Sequence, residues 1–311
     1  MLANEMKCAI PKITDEPSLN LLQARHPLLY LQHASEGKET VPLDINLEED
    51  QNILVISGPN AGGKSVCLKT AGLIQLMFQA GMPVPVDGSS QMGVFENLFI
   101  DIGDDQSIDN DLSTYTSHLK NLKYFTDHAD THTLVLVDEM GTGTDPQFGG
   151  PIAESILEKL NQQKAYGIVT THYSNLKVFA AQTQGLKNGS MIFDRNTLQP
   201  TYHLAIGEPG SSYSFEIARN LGFPYELLEN ARQKAGQEVK EFDELLAQLE
   251  EQKQKANEKD RQLNQKQKEL HALMQKHDRM SKDIEQNKKQ ILLENKENAL
   301  NYLNQLNLQS T

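Results

Sequence analysis

The 311-residue chain is short of cysteine, of positive charge and of long apolar runs, and each shortage removes a class of protein. Its two cysteines, Cys8 and Cys67, lie far apart and match no metal-ligand spacing, which excludes a disulfide scaffold and a cysteine-based metal module. Free thiols point to a reducing, cytoplasmic compartment. Lysine and arginine total 29 against 42 acidic residues, a net charge of −13. Such a chain has no overall electrostatic pull toward nucleic acid or an anionic membrane, so a nucleic-acid role needs a local basic face or another part of a larger protein. No apolar stretch is long enough to span a bilayer and no secretory signal opens the sequence, so no membrane partner is expected.

What is present begins at the apolar run Ile53-Leu54-Val55-Ile56, which feeds Gly58-Pro59-Asn60-Ala61-Gly62-Gly63-Lys64-Ser65. A buried strand leading into G-x-x-x-x-G-K-S and then into a helix is the order a phosphate-binding loop requires. Glycines let the backbone curl so that several N–H groups face the phosphates, and the following helix turns its positive end toward the anion. Lys64 supplies a cation for the β- and γ-phosphate oxygens, and Ser65 a hydroxyl for Mg²⁺. ATP contacts are expected across Gly58 to Val66. The adenine is expected against the segment before the loop, near Val41 and Pro42.

Three regions follow from the pattern along the chain. Residues 1–48 are broken by Pro11, Pro17, Pro27 and Pro42 and read as a lead-in. Residues 49–222 alternate apolar runs with helical patterns, the signature of an α/β fold with a parallel-rich sheet covered by helices. Strands are predicted at 53–57, 133–138 and 167–171 and near 190–193 and 201–205, with helices at 64–80, 112–128 and 148–161. Residues 223–311 lose almost all proline, glycine and β-branched residues. They carry a seven-residue stripe of Phe242, Leu249, Ala256, Leu263, Leu270, His277, Ile284 and Ile291, which predicts a coiled-coil-like helical tail. The second seam is interrupted by Gln252, Lys259 and Lys266, so either a fold-back or second-subunit partner or a solvated helix fits this pattern.

Thr133-Leu134-Val135-Leu136-Val137-Asp138-Glu139 is an apolar strand ending in two carboxylates. Asp138 is placed to hold the Mg²⁺ shell, and Glu139 to polarise the attacking water or to serve as a supporting carboxylate. A third strand ends in Thr170-Thr171-His172, where a histidine reaches the γ-phosphate unless it is merely structural. Asn60, within the loop, is a candidate contact to the γ-phosphate or the lytic water. Gly141 to Pro146 reads as a loop suited to crossing a subunit boundary.

The Lys64, Asp138-Glu139 and His172 motifs resemble those of the ABC-type ATPases, in which two ATPase domains sandwich ATP. The transporter signature is absent. The chain has Asp101-Ile102-Gly103-Asp104-Asp105-Gln106-Ser107 and then Asp111-Leu112-Ser113-Thr114-Tyr115. With G-P-N-x-G-G-K-S before it and D-E-x-G-x-G-T after it, this segment resembles the MutS family of DNA repair ATPases. The D-I-G-D-D-Q-S run and Asp145-Pro146 resemble the second bacterial branch, the MutS-two proteins, associated with recombination suppression and in some members with collided ribosomes. Arg25-His26-Pro27, Thr201-Tyr202, Gly207-Glu208-Pro209-Gly210 and Phe215-Glu216-Ile217-Ala218 fit the same pattern.

The resemblance implies a homodimer with composite ATP sites, in which Ser113 reaches the partner's nucleotide; taken alone, Ser113 also reads as a helix N-cap. It implies that segment 211–233 clasps the partner through a helix-turn-helix, with intramolecular packing as the alternative. Branched or mismatched DNA, or a ribosome, is expected to be engaged by clamp, lever and nuclease regions outside these residues, so the chain is expected to be a piece of a longer protein. Other readings compatible with the motifs are a mismatch-recognition ATPase, an ATPase for collided ribosomes and a scaffold that binds ATP to dimerise without turnover. A chromosome-organising ATPase fits poorly, because there a coil separates the Lys64-type and Asp138-type motifs.

Overall fold

The computed structural model describes residues 2–59, 62–103, 111–194, 199–207, 210, 217–219 and 221–234, with scattered helical positions between 259 and 296. The chain divides into two units, 1–247 and 248–311.

Three consecutive-looking apolar runs become the centre of the first unit. In β4 (Ile53–Ser57), β7 (Thr133–Val137) and β8 (Tyr166–Thr170) every residue is buried, as expected of strands covered on both faces. Alternate side chains part to opposite sides. Leu54, Ile56, Leu134, Leu136 and Ile168 join a core with Leu68 and Ile74 of α3 (Lys64–Gln79). Ile53, Val55, Val135, Val137 and Val169 join a second core with Leu122 of α4 (Asp111–His128), Leu157 of α5 (Pro146–Gln162) and Leu176 of α6 (Ser174–Gln182).

The six-stranded sheet runs β10-β9-β4-β8-β7-β6, with β6 spanning Asn97–Asp101, β9 Leu186–Phe193 and β10 Pro200–Ile206. All neighbours are parallel except β10, which pairs antiparallel with β9. The pairings Ile56↔Thr170, Val169↔Val137 and Val137↔Asp101 bring the carboxyl ends of β4, β8, β7 and β6 to one rim. That rim is where open α/β sheets bind ligands.

The parallel-rich α/β architecture agrees with the sequence reading, and the five predicted strands and three predicted helices are present with small shifts at their ends. The largest shift is β9, which starts at Leu186 rather than near 190. The segment read as a lead-in is more ordered than its prolines indicate. It contains α1 (Leu2–Glu5), β1 (Lys12–Ile13), β2 (Leu19–Ala24), α2 (Pro27–Glu36) and β3 (Leu43–Leu47). With β5 (Gln91–Met92) the strands form a second sheet in the order β1-β5-β2-β3. Leu19, Leu21, Ile45 and Leu47 are buried in the same core as α3. The prolines punctuate these elements rather than abolish them: Pro27 is the first residue of α2, where a missing N–H costs nothing, and His26 caps it by accepting from the Leu29 N–H.

The first unit closes, among the described residues, with α7 (Tyr225–Lys234). In the second unit the described positions are helical, and Leu263, Leu270, His277 and Ile291 of the stripe are exposed. Phe242, Leu249, Ala256 and Ile284 lie outside the described residues. Among the described residues no helix is long and apolar enough to cross a membrane.

Candidate active site

The loop after β4 is shaped by glycines where other residues are strained. Gly58 and Gly63 have φ of 124° and 93°, and a Cβ on Gly62 would stand 3.0 Å from Cβ of Met191. Gly63 is the N-cap of α3 and supplies no side-chain acceptor to the first turn of this helix, whose amide end faces the loop. Lys64 folds back over the loop, with Nζ donating to the Gly58 carbonyl at 2.7 Å. Its side chain is among the largest fully buried in the chain.

Burial pushes the Lys64 ammonium down to about 8; Lys177 adds to the fall, while Glu139 and Asp138 oppose it. Such a cation is poised to gain from an arriving polyanion. Nε2 of His172, just beyond β8, lies 3.4 Å from Lys64 Nζ and 3.8 Å from Glu139 Oε1. Burial, then Lys64 and Lys177, hold the imidazole below its ordinary pKa, with Asp138 opposing. A neutral ring accepts from Lys64 through Nε2 and cannot donate to Glu139 through the same atom.

Asp138 and Glu139 follow β7 directly, beside Thr170. The Thr170 hydroxyl donates to Asp138 Oδ1 at 2.5 Å and accepts the Glu139 N–H at 2.7 Å. Glu139 adopts φ 50°, a left-handed conformation in which the chain leaves the strand direction. Thr142 closes the turn by donating to the Glu139 carbonyl at 2.8 Å. Within it, the carbonyl of Gly141, at φ 91°, accepts the Tyr173 hydroxyl at 2.9 Å, and beyond it Asp145 caps α5. A Cβ on Gly143 would lie 3.3 Å from Tyr115 of α4, so this loop abuts the helix that carries Ser113.

In phosphoryl-transfer sites Mg²⁺ takes one or two protein oxygens and keeps waters and phosphate oxygens for the rest. The Ser65 hydroxyl and the Asp138 carboxylate are oxygen donors of the kind such a site uses. No cluster of three or more metal-ligating side chains, which would enclose a metal without a substrate, occurs among the described residues.

Beside the loop opens a cavity of about 620 Å³ walled by Val41, Leu29, Gly63, Val66, Cys67, Met191 and Tyr202, with Thr40 and His33 at its polar side. His33 Nδ1 and Thr40 Oγ1 are 3.0 Å apart. Cys67 is a wall residue whose thiol burial pushes up to about 12, so it is an unreactive apolar surface. Of the two residues that the sequence reading offers as adenine contacts, Val41 lines this cavity and Pro42 is not among its wall residues.

A family model, MutS domain V, matches residues 54–240, more than half of the chain. The chain belongs to the MutS family. Domain V is the P-loop ATPase part of MutS proteins. The chain is 46% identical over 248 residues to "Endonuclease MutS2" of Finegoldia magna, covering 80% of this chain and 31% of that protein. It is 45% identical over 248 residues to the protein of that name from Clostridium botulinum strain Loch Maree, with the same shares. For the Thermomicrobium roseum protein the identity is 47% over 232 residues, or 75% of this chain and 28% of the relative. The chain spans about a third of the length of these relatives.

Of the residues that the MutS resemblance singles out, Gly58, Pro59, Gly62, Gly63, Lys64, Ser65, Val66, Asp138, Glu139 and His172 lie at or beside the rim just described. Asn60 and Ala61 lie outside the described residues, as do 104–110. Ser113 is the third residue of α4 and so does not cap it; its side chain is outside the described set. Of segment 211–233, residues 217–219 and α7 are helical, joined through Gly222 at φ 86°, and 211–216 lie outside the described residues.

Two residues beside this rim and cavity were given no role by sequence reasoning. Thr170 had a readable signal, since it is a polar residue closing an otherwise apolar strand. Tyr202 was read only within the Thr201-Tyr202 match to the family pattern, because only folding brings β10 over the phosphate loop.

Proposed function

We propose that this chain is the ATP-hydrolysing part of a cytoplasmic MutS-type repair or recombination-control protein, converting ATP and water to ADP and phosphate. The observation that carries this reading is the gathering of Lys64, His172, Glu139 and the Thr170-bound Asp138 on one sheet rim, at the mouth of a glycine loop. Lys64 binds the β- and γ-phosphate oxygens. The amides of Gly62 to Val66 hold the remaining phosphate oxygens, and Asn60 reaches the γ-phosphate side. Glu139 takes up the proton of, or orients, the attacking water. His172, neutral in the free protein, donates to the γ-phosphate through the nitrogen that faces Lys64 once it is protonated there. Ser65 and Asp138 hold Mg²⁺, which when bound neutralises charge on the transferring phosphoryl group. Val41, Val66 and the Tyr202 ring enclose the base in the 620 Å³ cavity.

Two chains would then share their sites. Leu221, Phe223, Tyr225 and Leu227 are all exposed in the segment that resembles the partner-clasping helices, and Phe148 is exposed at the start of α5. In such a homodimer Ser113 of one chain completes the partner's ATP site. Because the relatives are about three times as long and this chain is acidic, contact with branched or mismatched DNA, or with a ribosome, belongs to regions beyond these residues. The test is phosphate release with and without Mg²⁺, with light scattering in parallel. Mg²⁺-dependent turnover accompanied by ATP-induced doubling of mass supports the reading. ATP-induced doubling without turnover replaces it with a dimerisation scaffold.

A further inference from the structure

Thr170 has no exposed surface and is not one of the residues assigned a role above in handling ATP. Its position is nevertheless unusual. A hydroxyl has one proton, and the Thr170 oxygen is already accepting from the Glu139 N–H at 2.7 Å, so its proton goes to Asp138 Oδ1 at 2.5 Å. The Thr170 carbonyl accepts the Met140 N–H at 2.8 Å. Three consecutive residues at the end of β7 are thus tied to one residue of β8.

The middle one, Glu139, stands at φ 50°, which a non-glycine residue holds only where its surroundings fix it. Deleting the hydroxyl would take the acceptor from the part-buried Glu139 amide and leave Asp138 Oδ1 without this donor.

We propose that Thr170 is the positioning residue that sets both carboxylates. By engaging Oδ1 it turns the other oxygen of Asp138 toward the metal, and by holding the Glu139 amide it keeps that side chain swung out of the strand, toward His172. The inference rests on the ATPase reading for its purpose, but the hold of Thr170 on the turn is measurable without nucleotide.

Thr170→Val keeps the shape and removes the hydroxyl, and Thr170→Ser keeps the hydroxyl. Amide exchange of the nucleotide-free protein is followed at Glu139, and Mn²⁺ affinity is measured in the presence of a non-hydrolysable ATP analogue. The expected result is at least tenfold faster exchange at Glu139 and at least fivefold weaker Mn²⁺ binding for Thr170→Val. Thr170→Ser stays within twofold of wild type, and metal-free nucleotide affinity is unaltered in both. Wild-type exchange and Mn²⁺ affinity in Thr170→Val overturn the proposal. So does an equal loss of metal-free nucleotide binding, which marks a general structural role. If Thr170→Val does not fold, Thr170→Ala against Thr170→Ser carries the same contrast. If wild type binds no nucleotide, the ATPase reading falls, and the exchange contrast alone still decides whether Thr170 fixes the turn.

Discussion

Nζ of Lys64 lies 3.4 Å from Nε2 of His172, so the phosphate-loop cation and the histidine after the third parallel strand face each other before any phosphate stands between them. Burial disfavours the charged form of each, with Lys177 adding to the effect on both and Lys64 adding to it on His172, so an arriving anion is expected to change proton occupancy here.

The first prediction concerns pH. Burial pushes the Lys64 ammonium down to about 8, below its ordinary 10.5, and bound phosphates are expected to restore the higher value. Between these values the nucleotide-bound form holds more protons, so ATP affinity falls as pH rises through this window and binding takes protons up. At pH 8 the uptake should be on the order of half a proton per ATP. Calorimetry in buffers of differing ionisation enthalpy reads it directly, and buffer-independent heats at pH 8 to 9 would remove the argument. For the free chain the sign is opposite: the unfolded state binds the extra proton, so this group makes folding more favourable as pH rises from about 8 toward 10.5.

The second concerns the base. Tyr202 holds φ 59° and its ring lies over Gly63, with Cδ1 3.3 Å from where a Gly63 Cβ would stand. Stacking of a base on an aromatic ring contributes about 1–3 kcal/mol. Tyr202→Ala should weaken ATP and ADP roughly tenfold and leave inorganic tripolyphosphate unaffected. Equal weakening of all three would mean that the residue supports the phosphate loop instead.

The third is about the second sheet. A Cβ on Gly93 would meet the Glu16 carbonyl at 2.2 Å and the Ser18 nitrogen at 2.7 Å, both backbone atoms that cannot rotate away. Gly93→Ala should cost about 2 kcal/mol or more, lowering Tm by at least ~4 °C in thermal unfolding. An unchanged Tm would contradict the close approach of these segments.

The fourth concerns the partner. If Ser113 acts on the neighbouring chain's ATP, Ser113→Ala should reduce turnover at least about tenfold without weakening nucleotide binding. Mixing it with excess Lys64→Ala chains should restore part of the activity in heterodimers. A fully active monomer would exclude the shared site.

Much of this was legible in the sequence because chemistry and fold coincide at strand ends. Ile53–Ile56, Leu134–Val137 and Ile168–Val169 are continuous apolar runs, and each is followed by residues gathered at the rim. The edge strand Asn97–Asp101 was not legible, since Asn97, Phe99 and Asp101 mix polar and apolar positions in a half-buried strand. The second sheet was hidden for another reason. Its strands alternate properly, but Pro17, Pro27 and Pro42 break the sequence into pieces whose partner, β5, lies far along the chain. Tyr202 and Met191 reach the cavity beside the phosphate loop only through pairing of β10, β9 and β4, which no local pattern announces.

The most direct test is the Glu139→Gln variant, whose turnover and ATP affinity are compared with those of wild type at saturating Mg²⁺. Gln keeps the size and the turn but cannot take a proton, and a positioned base contributes about 10²–10⁴-fold. Affinity within threefold and phosphate release at least ~100-fold slower is the outcome this account predicts; equal rates in the two proteins would contradict it.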